Sequence, residues 1–274
     1  MIEQEFLRFF LNGLAEDLSR RRGASSAPQI PGAISDEALS RLPADQQAAR
    51  AWASHVVRND SEVTSMFCGQ LQSRICCLTC GNISYCFDPF FDLSVPLPGP
   101  CRRRTCTLED CLQAFSKEEI LDGDNRPICS ACRKRRKSEK SLSVHRFPPV
   151  LVVHLKRFQY DSSSRDKIGT SVDFPITALD LSPYSTRRIL RHPPMYELYG
   201  VCNHMGGLEG GHYTAHCRHN GPSFGSTDTT GSGNVEWNMF DDARVSRVNP
   251  VRMGGSAAYV LFYRLVQREA GSDK

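Results

Sequence analysis

A histidine placed directly after two glycines opens the run His212-Tyr-Thr-Ala-His216, and a pair of carboxylates, Asp241 and Asp242, ends a strand-like run over residues 236–245. An imidazole held by a carboxylate is half of a nucleophilic triad, lacking only the hydroxyl or thiol it would activate. The second chemistry-bearing set is Cys77-Leu-Thr-Cys80 with Cys129-Ser-Ala-Cys132. Each pair sets two thiolates at a knuckle, and two knuckles close a tetrahedral zinc site with no open position. Four ordinary buried cysteines are the plainer alternative. The gap between the knuckles exceeds the about 15–20 residues of a compact zinc ribbon, so zinc is expected to pin the tips of two hairpins of a larger sheet. His154, inside the apolar run Val152-Val-His-Leu155, reads as a satisfied core histidine, and His55, His145 and His219 stay unassigned.

These groups need elements to hold them. Residues 196–203 and 212–217 are β-like and flank a loop with Gly206, Gly207, Gly210 and Gly211, which reads as a hairpin able to approach another chain closely. Strand alternation then puts His212, Thr214 and His216 on one face and Tyr213, Ala215 and Cys217 on the other. Earlier, residues 2–22 and 45–57 carry apolar positions at helical spacing, and Asp60 or Ser61 caps a shorter helix. Residues 24–35 are rich in Ala, Ser, Pro and Gly and read as a linker. From Gln70 the period becomes that of strands, over 75–86 and 90–95, with Cys77–Gly81 as a tight turn. Thr107-Leu-Glu-Asp110 resembles a capping box opening a helix with Leu108, Cys111, Leu112 and Phe115 on one face. Residues 141–145, 150–155 and 257–265 complete the stronger strand expectations, with 171–174 and 189–190 weaker. Residues 222–234 read as a surface insertion. Helices first and strands after is an α+β order.

The 274 residues suffice for one large domain or two small ones. No apolar run is long enough to span a membrane, and no signal peptide is visible. Twelve cysteines in this length are too sparse for a secreted disulfide scaffold, so a reducing compartment, cytoplasmic and/or nuclear, is expected. The basic runs Arg102–Arg104 and Arg133–Lys137 raise nucleic acid as a partner, but no aromatic stacking platform accompanies them, and a solvated surface beside a knuckle is preferred.

Taken together, the chain resembles the ubiquitin-specific proteases, also called ubiquitin carboxyl-terminal hydrolases. The residues that carry the resemblance are Gln4-Glu-Phe-Leu7, Phe67-Cys-Gly-Gln-Leu71, Cys77-Leu-Thr-Cys80-Gly81, Phe87-Asp-Pro-Phe90 and Asp92-Leu-Ser94. They continue through Leu121-Asp-Gly-Asp124, Cys129, Cys132, Arg146-Phe-Pro148, His154-Leu-Lys-Arg-Phe158, Tyr199 to Ala215, Trp237 to Val245, and Tyr259-Val-Leu-Phe-Tyr263. The resemblance implies an α+β fold of the papain-like cysteine protease superfamily, with thumb, palm and zinc-tipped fingers. The thumb would occupy residues 1–66, the fingers 67–146, the palm 147–266 and a polar tail 267–274. It implies thiol-dependent hydrolysis of the bond after the last glycine of ubiquitin, with ubiquitin and ubiquitinated proteins as partners, a monomeric state and one structural zinc.

On this resemblance His212 is the general base and Asp241 its orienting carboxylate, with Asp242 as the alternative. Gln4, Glu5, Phe6, Gly210, Gly211, Tyr213 and Trp237 would contact substrate, and Cys77, Cys80, Cys129 and Cys132 would hold the metal. The family's nucleophile lies in a Gly-Asn-Thr-Cys-type box upstream of Gln-Glu-Phe-Leu, a motif that begins here at Gln4. The box and the N-terminal part of the thumb are therefore expected to be missing, and Ile2 stands where the family has an aspartate. Gly81-Asn82 with Cys86 only mimics the box. The chain as written is expected to be inactive, and a non-catalytic ubiquitin-binding module is the alternative.

Overall fold

Apolar residues recur at helical spacing up to about residue 67 and mostly at strand spacing beyond it, and the elements change from helix to strand at the same place, α5 apart. A computed structural model describes residues 3–20, 34–98, 105–160, 165–186, 193–207, 210–219, 236–249 and 254–266. The chain begins with α1 (Glu3–Asp17), α2 (Asp36–Ser40), α3 (Ala44–Arg58) and α4 (Glu62–Phe67). Strands β1 (Gly69–Cys77), β2 (Ile83–Phe90), β3 (Leu93–Pro96) and β4 (Thr105–Thr107) precede α5 (Leu108–Ser116). Next come β5 (Glu119–Leu121), β6 (Ile128–Cys129), β7 (Lys134–Arg135), β8 (Ser138–Arg146) and β9 (Val150–Lys156). The rest are β10 (Phe158–Tyr160), β11 (Arg165–Lys167), β12 (Ser171–Asp173), β13 (Leu179–Asp180), β14 (Met195–Gly206), β15 (Gly211–His219), β16 (Glu236–Asp241), β17 (Arg244–Val248) and β18 (Ala258–Leu265). The class is α+β, and no helix among the described residues is long and apolar enough to cross a membrane.

The chain forms two compact units. The first takes residues 1–91, 116–148 and 184–188, and the second takes 92–115, 149–183 and 189–274. In the first, α4 starts where the Ser61 hydroxyl accepts from the Thr64 N–H at 3.0 Å, satisfying one of the donors a helix start leaves open. An antiparallel sheet of order β2-β1-β8-β5 follows, with β6 and β7 as a separate two-stranded hairpin. Gln70 Nε2 donates to the Ala48 carbonyl at 3.1 Å, tying α3 to the start of β1. Helix α1 buries Leu11 but leaves Phe6, Phe9 and Phe10 exposed, Phe9 at 75%.

The second unit is built on a sheet of order β17-β16-β15-β14-β18-β9-β3, with β13 paired to β14. Strand β9 runs parallel to β3 and antiparallel to β18. Its residues Val150–Leu155 are all buried, as a continuous apolar run between two neighbours requires. At the end of β9, Arg157 is wholly buried at 0% exposure. Its guanidinium donates to the carbonyls of Ala258 (2.6 Å), Ile168 (3.0 Å), Thr170 (2.7 Å) and Gly255 (3.0 Å), so a cation takes the place of missing backbone pairs. Burial lowers its pKa to about 10, which still leaves it charged at neutral pH. The expected capping box is reciprocal: Asp110 N–H donates to Thr107 Oγ1 at 3.1 Å, and Thr107 N–H to Asp110 Oδ2 at 2.9 Å.

Some expected bounds shift. The strand expected over 90–95 is two pieces, because β2 runs on to Phe90 and β3 starts only at Leu93. Helix α2, just past the segment read as linker, and the β6–β7 hairpin around the second knuckle were not expected, being too short to show a period. Residues 189–190, 222–234 and 267–274, and the linker as far as residue 33, lie outside the described residues.

Candidate active site and metal centre

Strand β14 pairs with β15 so that Met205 faces His212, His204 faces Tyr213 and Gly206 faces Gly211. Gly206 has φ +127°, and a Cβ there would lie 2.5 Å from the Gly210 carbonyl oxygen, so only glycine closes this turn. A Cβ at Gly211 would lie 2.2 Å from His204 Nε2, which makes the absence of a side chain at 211 a packing requirement. Gly210 has open space around it.

Strand β15 pairs with β16 with Ala215 opposite Phe240 and His216 opposite Met239. Continuing that register puts Asp241 on the same face as His212, displaced by one same-face position. There His212 Nε2 and Asp241 Oδ1 are 2.5 Å apart. The carboxylate only accepts, so Nε2 carries the proton and Nδ1 is the ring atom left to act as base. Asp242 lies at the turn into β17 with φ +49°. Its carboxylate stays within 4.8 Å of the pair without taking the hydrogen bond. The bond to Asp241, reinforced by the charges of Asp241 and Asp242, raises the His212 pKa above its ordinary value.

On the opposite face, Tyr213 packs against His204 with centroids 4.6 Å apart and the rings tilted by 35°. His204 is buried, lies against Phe158 and Tyr259, and accepts from Lys167 Nζ through its carbonyl at 2.5 Å. Nothing in residue type alone marked His204, Lys167 or Arg157; the Cβ clash at Gly211 is what exposes the first. Trp237 is buried at 1% and lies in β16 on the same face of the strand as Asp241. Glu5 and Phe6 are exposed on α1, and Gln4 belongs to that helix with its side chain outside the described residues.

Thiols are the next question. Eleven of the twelve cysteines are described, and none of them joins the cluster of His212, Asp241 and Asp242. Cys202 pairs with Ala215 and Cys217 with Gly200, which sets both on the Tyr213 face, away from His212. Cys68 presents a different constellation: its Sγ is 3.4 Å from His55 Nε2, and Asn59 Nδ2 lies 3.2 Å from His55 Nδ1. The same Asn59 nitrogen donates to the His55 carbonyl at 3.1 Å, so Nδ1 accepts and Nε2 carries the proton. His55 thus donates toward sulfur and cannot take its proton, and burial pushes the Cys68 thiol up to about 12. A Ser–His–Asp cluster fails for a similar reason. Ser94 donates to Asp92 at 2.9 Å and lies 3.0 Å from His154 Nδ1, so His154 gives a proton to the serine oxygen. His154 is a core histidine as expected, bonded in this way through Nδ1, while its buried Nε2 has no hydrogen-bond partner among the described residues.

At the metal centre, the sulfurs of Cys77, Cys80, Cys129 and Cys132 all lie within 4.8 Å of one another, with Cys80 and Cys129 at 3.7 Å. Both knuckles are shaped by the backbone. Gly81 N–H donates to the Cys77 carbonyl at 2.8 Å with Gly81 at φ +73°, and Arg133 N–H donates to the Cys129 carbonyl at 2.7 Å with Arg133 at φ +53°. The N–H of Cys80, with that of Thr79, draws the Cys77 thiol down to about 6. Four convergent thiols, one already favoured as thiolate, fit a tetrahedral zinc ion, and no other His, Cys, Asp or Glu among the described residues joins the cluster.

Known proteins share this arrangement of sequence and fold. Residues 3–263 match the family described as ubiquitin carboxyl-terminal hydrolase. Ubiquitin carboxyl-terminal hydrolase 2 of Rattus norvegicus is 39% identical over 262 residues, covering 96% of this chain and 39% of that protein. The Homo sapiens protein of that name is also 39% identical, covering 96% of this chain and 40% of its own length. Ubiquitin carboxyl-terminal hydrolase 21 of Rattus norvegicus is 36% identical over 275 residues, covering 96% and 46%. The chain thus spans less than half the length of these relatives. Among solved structures, a chain of the yeast SAGA DUB module superposes with a TM-score of 0.68 at 27% identity, covering 96% of this chain and 50% of that one. A SAGA DUB module bound to ubiquitin aldehyde gives 0.62 at 28% identity, covering 81% and 47%. The chain belongs to the ubiquitin carboxyl-terminal hydrolase family.

Proposed function

We propose that this chain is the recognition and base-bearing part of a thiol-dependent deubiquitinase, cleaving the peptide or isopeptide bond after the C-terminal glycine of ubiquitin. The observation that carries the reading is the 2.5 Å contact of His212 Nε2 with Asp241, which commits Nδ1 to proton transfer. In the first half-reaction Nδ1 takes the proton of a cysteine thiol, the thiolate adds to the glycine carbonyl, and the imidazolium returns the proton to the departing amine. Water then hydrolyses the thioester, with Nδ1 again as base. Asp241 keeps the ring in its tautomer throughout. Gln4, Glu5, Phe6, Gly210 and Tyr213 are the substrate contacts, whereas Gly211 and Trp237 serve substrate binding by shaping the sheet. One zinc held by Cys77, Cys80, Cys129 and Cys132 stabilises the small sheet of the first unit. Solved relatives bound to monoubiquitin and to ubiquitin aldehyde support ubiquitin as the ligand.

None of the eleven described cysteines lies in the His212 cluster, which supports a nucleophilic thiol other than these. That same observation favours a second reading, a ubiquitin-binding module without chemistry. Intact mass after incubation with ubiquitin carrying a thiol-reactive electrophile at its C-terminus tests both, alongside ubiquitin affinity. The expected result for these 274 residues is binding without an adduct. An adduct lost in His212→Ala would show a resident nucleophile, and peptide mapping would name it. A chain that neither reacts with nor binds ubiquitin overturns both readings.

A further inference from the structure

The basic run 133–137 is absorbed by nothing in the proposed chemistry. Residues 122–137 hold six cations, Arg126, Arg133, Lys134, Arg135, Arg136 and Lys137, against two carboxylates, Asp122 and Asp124. Six minus two is +4, the formal net charge of the whole chain. Asp122 is already shared by Arg126 (2.6 Å) and Lys137 (2.9 Å). Among the described residues no ion pair engages Arg133, Lys134, Arg135 or Arg136, and a buried Nε of Arg136 has no hydrogen-bond partner. Arg135 instead donates to the carbonyls of Asp124 and Arg126, each at 3.3 Å.

These cations sit on the metal hairpin itself. Lys134 is paired directly with Cys129 across β6–β7, and Arg133 closes the knuckle through its N–H on the Cys129 carbonyl. Lys137 accepts through its carbonyl from Leu78 N–H at 3.1 Å, linking the run to the other knuckle. Four thiolates around a divalent ion carry a formal charge of −2, and groups outside the ligand set decide how well such a centre holds its metal. We infer that the basic hairpin Arg133–Arg136 is the built-in counter-charge of the four-cysteine metal centre, raising its zinc affinity by electrostatics. The inference rests on the zinc reading given above.

The test is a zinc competition titration against a chromophoric chelator on the whole chain, comparing Arg133→Gln/Lys134→Gln with a matched loss of two charges elsewhere, Lys156→Gln/Arg247→Gln. The hairpin variant should lose about tenfold in zinc affinity, the lower end of the 10–100-fold typical of changes beyond the ligand shell, while the pair in the second unit changes nothing. Added salt should weaken zinc retention in the unaltered chain and do so less in the hairpin variant, because screening acts on the charges the variant lacks. Unaltered chain that holds zinc as tightly as the hairpin variant overturns the counter-charge role alone. A folded chain that takes up no zinc overturns the metal reading and this inference together.

Discussion

The imidazole of His212 is both exposed and doubly attended by carboxylates, and that combination fixes how it responds to pH. Its pKa is raised first by the hydrogen bond to Asp241 and then by the charges of Asp241 and Asp242. As a group whose folded pKa lies above its unfolded value, its contribution to stability is complete below pH 6.5 and is lost as pH climbs through the raised pKa. The opposite slope applies to base catalysis, which needs the neutral ring and so grows over that same interval. Asp241→Asn removes the leading cause and should bring the His212 pKa down toward its ordinary value, read from the pH dependence of the imidazole C–H resonances. A titration unmoved by that change would mean that Asp241 does not govern the ring. Asp242→Asn should move it less, since Asp242 contributes charge without the bond.

At the scale of elements, the β14–β15 hairpin is where sequence reasoning reached furthest. The alternation of His212, Thr214 and His216 is legible because a strand's period of two leaves no other choice. The partnership with Asp241, and not Asp242, is not legible in that way; it depends on the register with β16 and on Asp242 turning into φ +49°. Gly211 shows the same limit. Its neighbours invite a reading as a place for substrate, yet the position is dictated by the His204 ring beneath it. Gly211→Ala should therefore destabilise the second unit by about 1–3 kcal/mol, the cost of overpacking a filled site, measured by urea unfolding. Gly210→Ala, with open space around it, should leave stability nearly unchanged. Equal effects at the two positions would refute the packing role. The two knuckles were visible from Cys-x-x-Cys spacing alone, whereas the two-residue strands that carry the second one were not, because nothing so short shows a period.

For the whole molecule, α1 holds three phenylalanines toward solvent, and apolar surface left uncovered favours association. Phe9→Glu, at the most exposed of the three, should shift the chain toward monomer in sedimentation at rising concentration. No change would show that this helix face does not drive association.

One topological fact about the large sheet reaches beyond the folded state. The last of the described strands, β18, lies between β14 and β9 in the middle of the order β17-β16-β15-β14-β18-β9-β3. As the chain leaves the ribosome, β3 with β9, and later β14 with β15, β16 and β17, can each pair only on their own side of a gap. Closing it requires contacts about a hundred residues apart in sequence, of the kind that slows folding. The His212–Asp241 pair is therefore synthesised before the sheet beneath it can close, and premature termination between Gly206 and Ala258 leaves a nascent chain with the β9 and β14 edges exposed for quality control to recognise.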